Sequence, residues 1–369
     1  MKMTAKHLVL AGGGHAHLFV LQALARRRPK NIDVTLISPS RWQYYSGMIP
    51  GWMSGYYRQE DCRIDLAALA YAAGVNFIEK CVVAMRADAA CVSMGSGGHI
   101  TYDLLSLDVG GEPDESWTLS SAPRAISVRP MSGFVQEWTE GLSENSGRSL
   151  AIIGGGAGGV ELAFAAKAGT EAAGSGVASD VSLVCGETGI LESFPLGARR
   201  KIERKLSAAG VHVLRVRAVA SERGILLSNG QGLEAEKVFV ATGTKAPLWL
   251  QLSGLGLGDE GYVQVNKFHQ IVSHPNVFAA GDVCDRVDFD LPKSGVHAVR
   301  AGAVLAHNLL AMLTGGRLRP YVPKRSVLYL ISTGDKSAVA SWGWWSAQGR
   351  WVWKWKDLID RSFIRKFRI

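Results

Sequence analysis

The sequence predicts an α/β fold with two doubly wound, parallel-sheet units of the dinucleotide-binding (Rossmann-like) type, and three observations predict it. Two glycine-rich loops, Gly12-Gly13-Gly14-His15-Ala16-His17 and Gly154-Gly155-Gly156-Ala157-Gly158-Gly159, lie about 140 residues apart. Each follows a short apolar strand, His7-Leu8-Val9-Leu10-Ala11 or Leu150-Ala151-Ile152-Ile153, and each opens a helix. Strand and helix signals then alternate after each loop, as parallel sheets with helical crossovers require. Glycines in this setting let the backbone turn tightly and approach a pyrophosphate, whose charge rests on free N–H groups at the helix N-terminus. One such loop is weak evidence. Two in one chain imply two bound dinucleotides, and a flavin reduced by a nicotinamide is the usual reason to hold both.

The first βαβ unit runs from His7 to Ser38, with its second strand at Asp33-Val34-Thr35-Leu36-Ile37. An aromatic loop follows, with Trp42, Tyr44, Tyr45, Trp52, Tyr56 and Tyr57, and then a β-rich stretch ending at Tyr102–Gly110. The second unit begins near Ser149, continues through the strand Val181-Ser182-Leu183-Val184 and closes at Lys237–Thr244. A strand-like Val277-Phe278-Ala279-Ala280 reaches Gly281-Asp282, and a helical pattern spans Ser294 to Leu313.

The 369 residues allow two or three domains with a sizeable core. Forty-three glycines fit a chain whose backbone approaches cofactors. The five cysteines, Cys62, Cys81, Cys91, Cys185 and Cys284, show no metal-ligand spacing, so no metal is expected; an odd number without a framework suits a reducing cytoplasm. The first apolar stretch is the first cofactor strand and lacks a cleavage site, so no signal peptide is expected. Without an apolar run of about 18 residues, no membrane span is expected either. Net charge is +9, and the last twenty residues, with seven basic and two acidic side chains, carry +5 of it.

These landmarks, with Ala241-Thr242-Gly243-Thr244 and Ala279-Ala280-Gly281-Asp282 added, resemble the pyridine nucleotide–disulfide oxidoreductase superfamily of two-dinucleotide flavoproteins. Within it the chain is similar to type II NADH dehydrogenases. Through Leu8–His15, Leu105-Ser106-Leu107-Asp108 and Trp353-Lys354-Trp355-Lys356-Asp357 it resembles the flavoprotein module N-terminal to some selenophosphate synthases. The resemblance implies a discontinuous FAD domain (1–118 and 247–320), an inserted NAD(P)H domain (119–246) and a C-terminal membrane- or partner-contact region (321–369). It implies that FAD rests on Gly12, Gly13, Gly14, His15, Ala16, Ser38, Val82, Gly110, Gly281 and Asp282. NAD(P)H is expected on Gly154, Gly156, Ala157, Gly158, Gly159, Glu187 and Gly243.

The chain departs from that pattern in places. His17 replaces the third glycine of the first loop, where helix and strand usually touch. The second strands end in Ser38 and Cys185, with no carboxylate for an adenosine ribose; Glu187 follows two positions after Cys185. No basic residue adjoins Cys185 in sequence, so neither NADH nor NADPH is selected.

Disulfide reduction needs a CxxxxC pair after the first unit, and Tyr45-Ser46-Gly47-Met48-Ile49-Pro50 contains no cysteine. Leu291-Pro292-Lys293-Ser294-Gly295 is similar to a segment of sulfide:quinone oxidoreductases, but Cys185 and Cys284 do not match their cysteine positions. Glu161, in Gly159-Val160-Glu161-Leu162-Ala163, matches the glutamate near nicotinamide and flavin in type II NADH dehydrogenases, where it would position the nicotinamide or relay a proton. A glutamate stabilised by a helix macrodipole would look the same. Lys293 is the second catalytic candidate, a cation to stabilise charge on the reduced ring, against an ordinary exposed lysine. His15 and His17 read as phosphate- or substrate-facing residues or as structural histidines. The quinone pattern Ala-Gln-x-Ala-x-Gln aligns with Gly295–Arg300 and has lost both glutamines.

On a helical wheel Trp351, Trp355, Leu358, Ile359 and Phe363 form an apolar stripe. Lys354, Lys356, Asp357, Asp360, Arg361 and Arg365 are expected on the opposite, solvated side. The stripe suits an interfacial membrane helix, a homodimer contact or a partner enzyme. No nucleic-acid module is recognisable. The expectation is a cytoplasmic FAD-dependent enzyme that passes electrons from NAD(P)H to a quinone or other small acceptor, with its tail in contact either with the inner face of the membrane or with a protein partner. Its tail is expected to serve attachment and to leave hydride transfer intact. A regulatory or docking flavoprotein module and a sulfide:quinone-type oxidoreductase are the alternatives.

Overall fold

The computed structural model of the chain describes residues 5–114, 125–143, 149–172, 180–221, 224–293, 295–324 and 326–369. The expected domain boundary at 118/119 and Ser294 lie outside the described residues. In chain order the elements that build the site are β1 (Lys6–Ala11), α1 (His15–Arg26), β2 (Ile32–Ser38), α2 (Ile49–Met53), α3 (Leu66–Ala72), β3 (Asn76–Glu79) and β4 (Leu104–Leu107). There follow β5 (Ala125–Ser127), α4 (Met131–Ser143), β6 (Ser149–Ile153), α5 (Ala157–Ala172), β7 (Asp180–Val184), α6 (Leu196–Ala208), β8 (Val211–Leu214) and β9 (Lys237–Val240). The chain ends with β10 (Val277–Ala279), α7 (Gly295–Thr314), β11 (Leu328–Ser332), β12 (Ala338–Trp342), β13 (Trp345–Gly349) and α8 (Arg350–Phe367).

Two five-stranded parallel sheets carry the molecule. The first has the order β10-β4-β1-β2-β3, so a strand from beyond the second unit returns to pair with β4. The second has the order β5-β9-β6-β7-β8. In β1 the residues Leu8 to Ala11 are fully buried, as a parallel strand covered on both faces must be. Alternation divides them. Leu8 and Leu10 join the core under α1 and α7, whereas Val9 and Ala11 pack with Met85 and Val92 of the antiparallel meander on the other face. A Cβ on Gly302 of α7 would stand 2.4 Å from the Phe19 ring and 3.1 Å from Ala16 Cα, so α7 lies directly on α1. The two sheets meet through α5 and α2, where a Cβ on Gly169 would stand 2.2 Å from Met53 O.

α7 is long and apolar enough to cross a bilayer, contrary to the expectation from run length, but half of it is buried, against α1 and the first sheet. A third sheet, β11-β12-β13, is antiparallel, and α8 packs across it.

The wheel reading of α8 is corrected. Its inward face is Val352, Lys356, Asp360, Ile364 and Phe367, while Trp351, Leu358 and Ile359 point outward. Lys356 and Asp360, expected in solvent, are 7% and 4% exposed. Phe363, expected at an interface, stacks on Tyr45 with centroids 4.4 Å apart. Lys356 Nζ donates to Gly47 O at 2.5 Å, Tyr57 Oη donates to Asp357 at 2.7 Å, and Gln22 donates to Lys366 O at 2.7 Å. The tail is therefore part of the fold and not a detachable anchor.

Candidate functional site at the two glycine loops

The first loop turns at Gly12, whose φ of +97° suits glycine, and a Cβ there would stand 2.3 Å from Asp108 O. Gly14 N–H donates to that carbonyl at 3.2 Å. Asp108, just past β4, then turns its carboxylate onto the start of α1, where Oδ2 accepts from Ala16 N–H at 2.8 Å and His17 N–H at 3.0 Å. Burial pushes its pKa up to about 7 against the pull of those two N–H groups, with Asp282 adding to the rise. The positive end of α1 thus faces an acid from the chain itself. Ser38 is buried and donates to Ser40 O at 3.0 Å, and Val82 opens the half-buried first strand of the meander.

His17 is structural. It is fully buried, with Nδ1 2.6 Å from Gly12 O and Nε2 2.8 Å from Ser106 Oγ. The ring bridges loop and sheet where a glycine would let them touch, and burial lowers its pKa to about 4, so it is neutral. His15 differs. Its Nε2 is buried without a partner, its ring lies between Tyr45 and Phe363, and burial again lowers its pKa to about 4.

On the far side, Gly281 has φ +77° and Asp282 is held by Arg129 Nη1 at 2.7 Å. Arg129 belongs to the second unit, so this ion pair joins the two. Lys293 is neither an exposed lysine nor a free cation. It donates to Cys284 O at 2.7 Å, pairs with Asp285 and lies 3.7 Å from the Tyr262 ring centroid. A small cavity is lined by Gly281, Asp282, Lys293, His297, His269 and Tyr321. Beside it His297 Nδ1, His269 Nε2, Tyr321 Oη and, one turn along α7, Arg300 Nη1 are buried without partners. His297 and Arg300 stand in the segment where both quinone-pattern glutamines are missing.

The second loop has a different character. Gly154 (φ +137°) and Gly159 are locked: a Cβ would stand 2.3 Å from Ala241 O at the first and 1.9 Å from Gly154 O at the second. Gly156, Gly158 and Gly243 face open space. Ala157 begins α5, and Glu187 is exposed in the turn after β7. Three-dimensional proximity adds what sequence adjacency lacks. Arg199 Nη2 and Arg215 Nε come within 3.6 and 3.9 Å of a Cβ position on Gly189, and Arg199 donates to Thr188 O.

Glu161, in the first turns of α5, turns toward the C-terminal region. Its Oε1 accepts from Ser332 N–H at 2.8 Å, at the end of β11. Burial raises its pKa, Lys356 and the Ser332 N–H pull it down, and Asp360 raises it further. Lys356 forms a buried pair with Asp360 at 2.7 Å, and Tyr45 donates to Asp360. Glu161 and Lys293 thus have separate surroundings.

The residues fit two dinucleotides. At the second loop, the open fronts of Gly156 and Gly158 leave room for a pyrophosphate at the N-terminus of α5. At the first, the orphaned nitrogens of His15 and His297 and the open front of Gly110 (φ +74°) call for a polar group. Asp108 is the departure there. At its raised pKa it accepts a proton readily, and a neutral acid tolerates a neighbouring phosphate. Cys284 is pushed by burial up to about 12 and Cys185 is also raised by burial, so neither is a thiolate at neutral pH. Among the described residues no His/Cys/Asp/Glu cluster could hold a metal. Sequence reasoning missed Asp108, Arg129, Lys356 and Asp360 as site residues. For Asp108 and Lys356 the signal was their place in Leu105-Ser106-Leu107-Asp108 and Trp353-Lys354-Trp355-Lys356-Asp357, which carry the family resemblance; for Arg129 there was none.

The family model described as pyridine nucleotide-disulphide oxidoreductase matches residues 6–302. Its members are FAD-binding, NAD(P)H-using enzymes, and FAD and NAD(P)H are the cofactors of this chain. The NADH dehydrogenase-like protein MT1860 of Mycobacterium tuberculosis is 26% identical over 293 residues, covering 75% of this chain and 72% of that protein. Two solved structures share the fold. NDH2 from Plasmodium falciparum in complex with NADH has a TM-score of 0.81 and 13% identity, covering 98% of this chain and 97% of that one. The sulfide:quinone oxidoreductase from Aquifex aeolicus has a TM-score of 0.78 and 19% identity, covering 99% and 92%.

Proposed function

We propose that this chain, which belongs to the pyridine nucleotide-disulphide oxidoreductase family, is an NAD(P)H dehydrogenase that passes electrons through FAD to a quinone or another small acceptor. The observation that carries the reading is the second loop: open at Gly156 and Gly158, rigid at Gly154 and Gly159, with Glu161 in the helix it opens. Bound FAD supplies the two-electron carrier chemistry. The chain's own residues bind and orient. Gly12, Gly14, Gly110 and Gly281 admit one dinucleotide and the second loop the other, while Glu161 offers a carboxylate that holds or moves a proton beside the nicotinamide. Asp282 is proposed to hold the flavin side chain, and Lys293, buttressed by Asp285, to supply positive charge near it.

The missing CxxxxC pair and the protonated thiols of Cys185 and Cys284 argue against dithiol and sulfide chemistry. In this proposal the enzyme works in the cytoplasm, against the inner face of the membrane, with the outward Trp351, Leu358 and Ile359 of α8 beside exposed Arg350, Lys354 and Arg365. Anaerobic addition of NADH and of NADPH to the purified flavoprotein tests the core of the reading. The expected result is loss of flavin absorbance, restored by a short-chain quinone. Flavin that stays oxidised with both nucleotides would reduce the chain to a binding module.

A further inference from the structure

In the middle of its inward face α8 buries Lys356 and Asp360 while it exposes Trp351 and Leu358, contrary to the usual division of an amphipathic helix. Burying Lys356 and Asp360 is costly unless their partners return the solvation. The partners come from three other segments. Gly47 O, just before α2, accepts from Lys356; Tyr45, next to that segment, donates to Asp360; and Glu161, buried on α5 and fixed by Ser332 N–H of β11, lies within electrostatic reach of Lys356. Asp357, one step along α8, also faces the group but is engaged by Tyr57 at 2.7 Å and Arg361 at 2.9 Å. What remains is one buried lysine paired with Asp360 and electrostatically coupled to the enclosed carboxylate of Glu161.

We infer that Lys356, delivered by the C-terminal helix, is a positioning residue that sets the charge of Glu161, so that α8 completes the nicotinamide-facing site. Lys356 favours ionised Glu161 and Asp360 opposes it, so the two α8 residues act on one carboxylate in opposite senses. The inference rests on the proposed role of Glu161 but concerns a property of the resting protein.

The test is infrared titration of the flavin-loaded protein without nucleotide, with the carboxylic-acid band of Glu161 assigned by its absence in Glu161→Gln. Lys356→Met is expected to move the Glu161 midpoint up by about one pH unit or more, a tenfold change in proton affinity. Asp360→Asn is expected to move it down, and Lys356→Arg to return it toward wild type. The acid limb of NAD(P)H-driven flavin reduction should move with the midpoint. A purely structural role predicts lower stability in all variants with the midpoint fixed. An unmoved midpoint, or shifts of one sign in Lys356→Met and Asp360→Asn, overturns the inference. If Lys356→Met does not fold, the sign of the Asp360→Asn shift decides. Midpoints that shift as expected in a protein whose flavin ignores NAD(P)H would sustain the control of Glu161 by Lys356 and defeat the proposed function, and with it the link to a nicotinamide site.

Discussion

His17 occupies a glycine's place in the first loop, and its burial makes a quantitative prediction. The ring is neutral in the folded protein, with a pKa of about 4 against 6.5 for an unperturbed histidine. Between those values the unfolded chain binds a proton that the folded chain refuses. Stability from this group therefore rises with pH through that window, is fully present above about 6.5 and is lost on the way down to about 4. The whole difference amounts to about 3 kcal/mol, of which about 2 kcal/mol is already lost at about pH 5. His17→Gln keeps a polar side chain but cannot titrate. At about pH 7.5 the variant should be less stable by about 1–3 kcal/mol, because Gly12 O and Ser106 Oγ lose well-placed partners. At about pH 5 that gap should shrink by about 2 kcal/mol, since only the wild type suffers the acid penalty. Urea unfolding of both proteins at both pH values measures it. Asp108 titrates in the same range with the opposite sign, but it is common to both proteins and cancels in the difference. A gap of the same size at both pH values would refute the claim that His17 is buried neutral.

Three other predictions follow from the loops and the tail. Gly156→Val, facing open space, should fold and keep its flavin but lose nicotinamide binding, whereas Gly159→Val, meeting Gly154 O, should lower stability as well; calorimetric titration and thermal melts separate them. If Asp108 takes up a proton when FAD binds, flavin affinity should fall by up to about tenfold per pH unit above about pH 7, and Asp108→Asn should abolish that slope. Flavin fluorescence quenching on the stripped protein reads it, and a flat wild-type profile would contradict it. Replacing the exposed Trp351 and Leu358 by serine should weaken sedimentation with anionic liposomes at low salt and leave flavin reduction unchanged, while deleting α8 from Arg350 should cost stability and disturb the site. Liposome binding that is equal in the double variant and the wild type would remove the membrane reading.

The glycine loops were legible because their chemistry is local. A strand, a tight turn and a helix start occupy about ten consecutive residues, and the positive φ of Gly12 and Gly154 is a property of that short stretch. The return of β10 to the first sheet was legible by resemblance, since Gly281-Asp282 marks it. Asp108 was not legible as the acid at the start of α1, because nothing in Leu107-Asp108-Val109 states that β4 ends beside that helix. Arg129 reaches Asp282 across 153 residues of chain, and Arg215 reaches the turn after β7 only because β8 lies next to β7.

The tail shows most sharply where pattern reading stops. A helical wheel identifies two faces, and hydrophobicity usually decides which is inward, because burying charge is costly and burying tryptophan is favourable. In α8 that rule fails. Val352, Ile364 and Phe367 supply apolar contact on the inward face, but its middle is Lys356 and Asp360. Turning Trp351 and Leu358 inward instead would strip Gly47 O and Tyr45 of their polar partners and leave Glu161 enclosed without the Lys356 charge. The orientation of the helix is thus decided by polar groups of other segments that Lys356 and Asp360 meet. The same arrangement leaves Trp351 facing outward and buries Lys356 on the side of α5, so the proposed attachment and the proposed chemistry would draw on opposite faces of one helix.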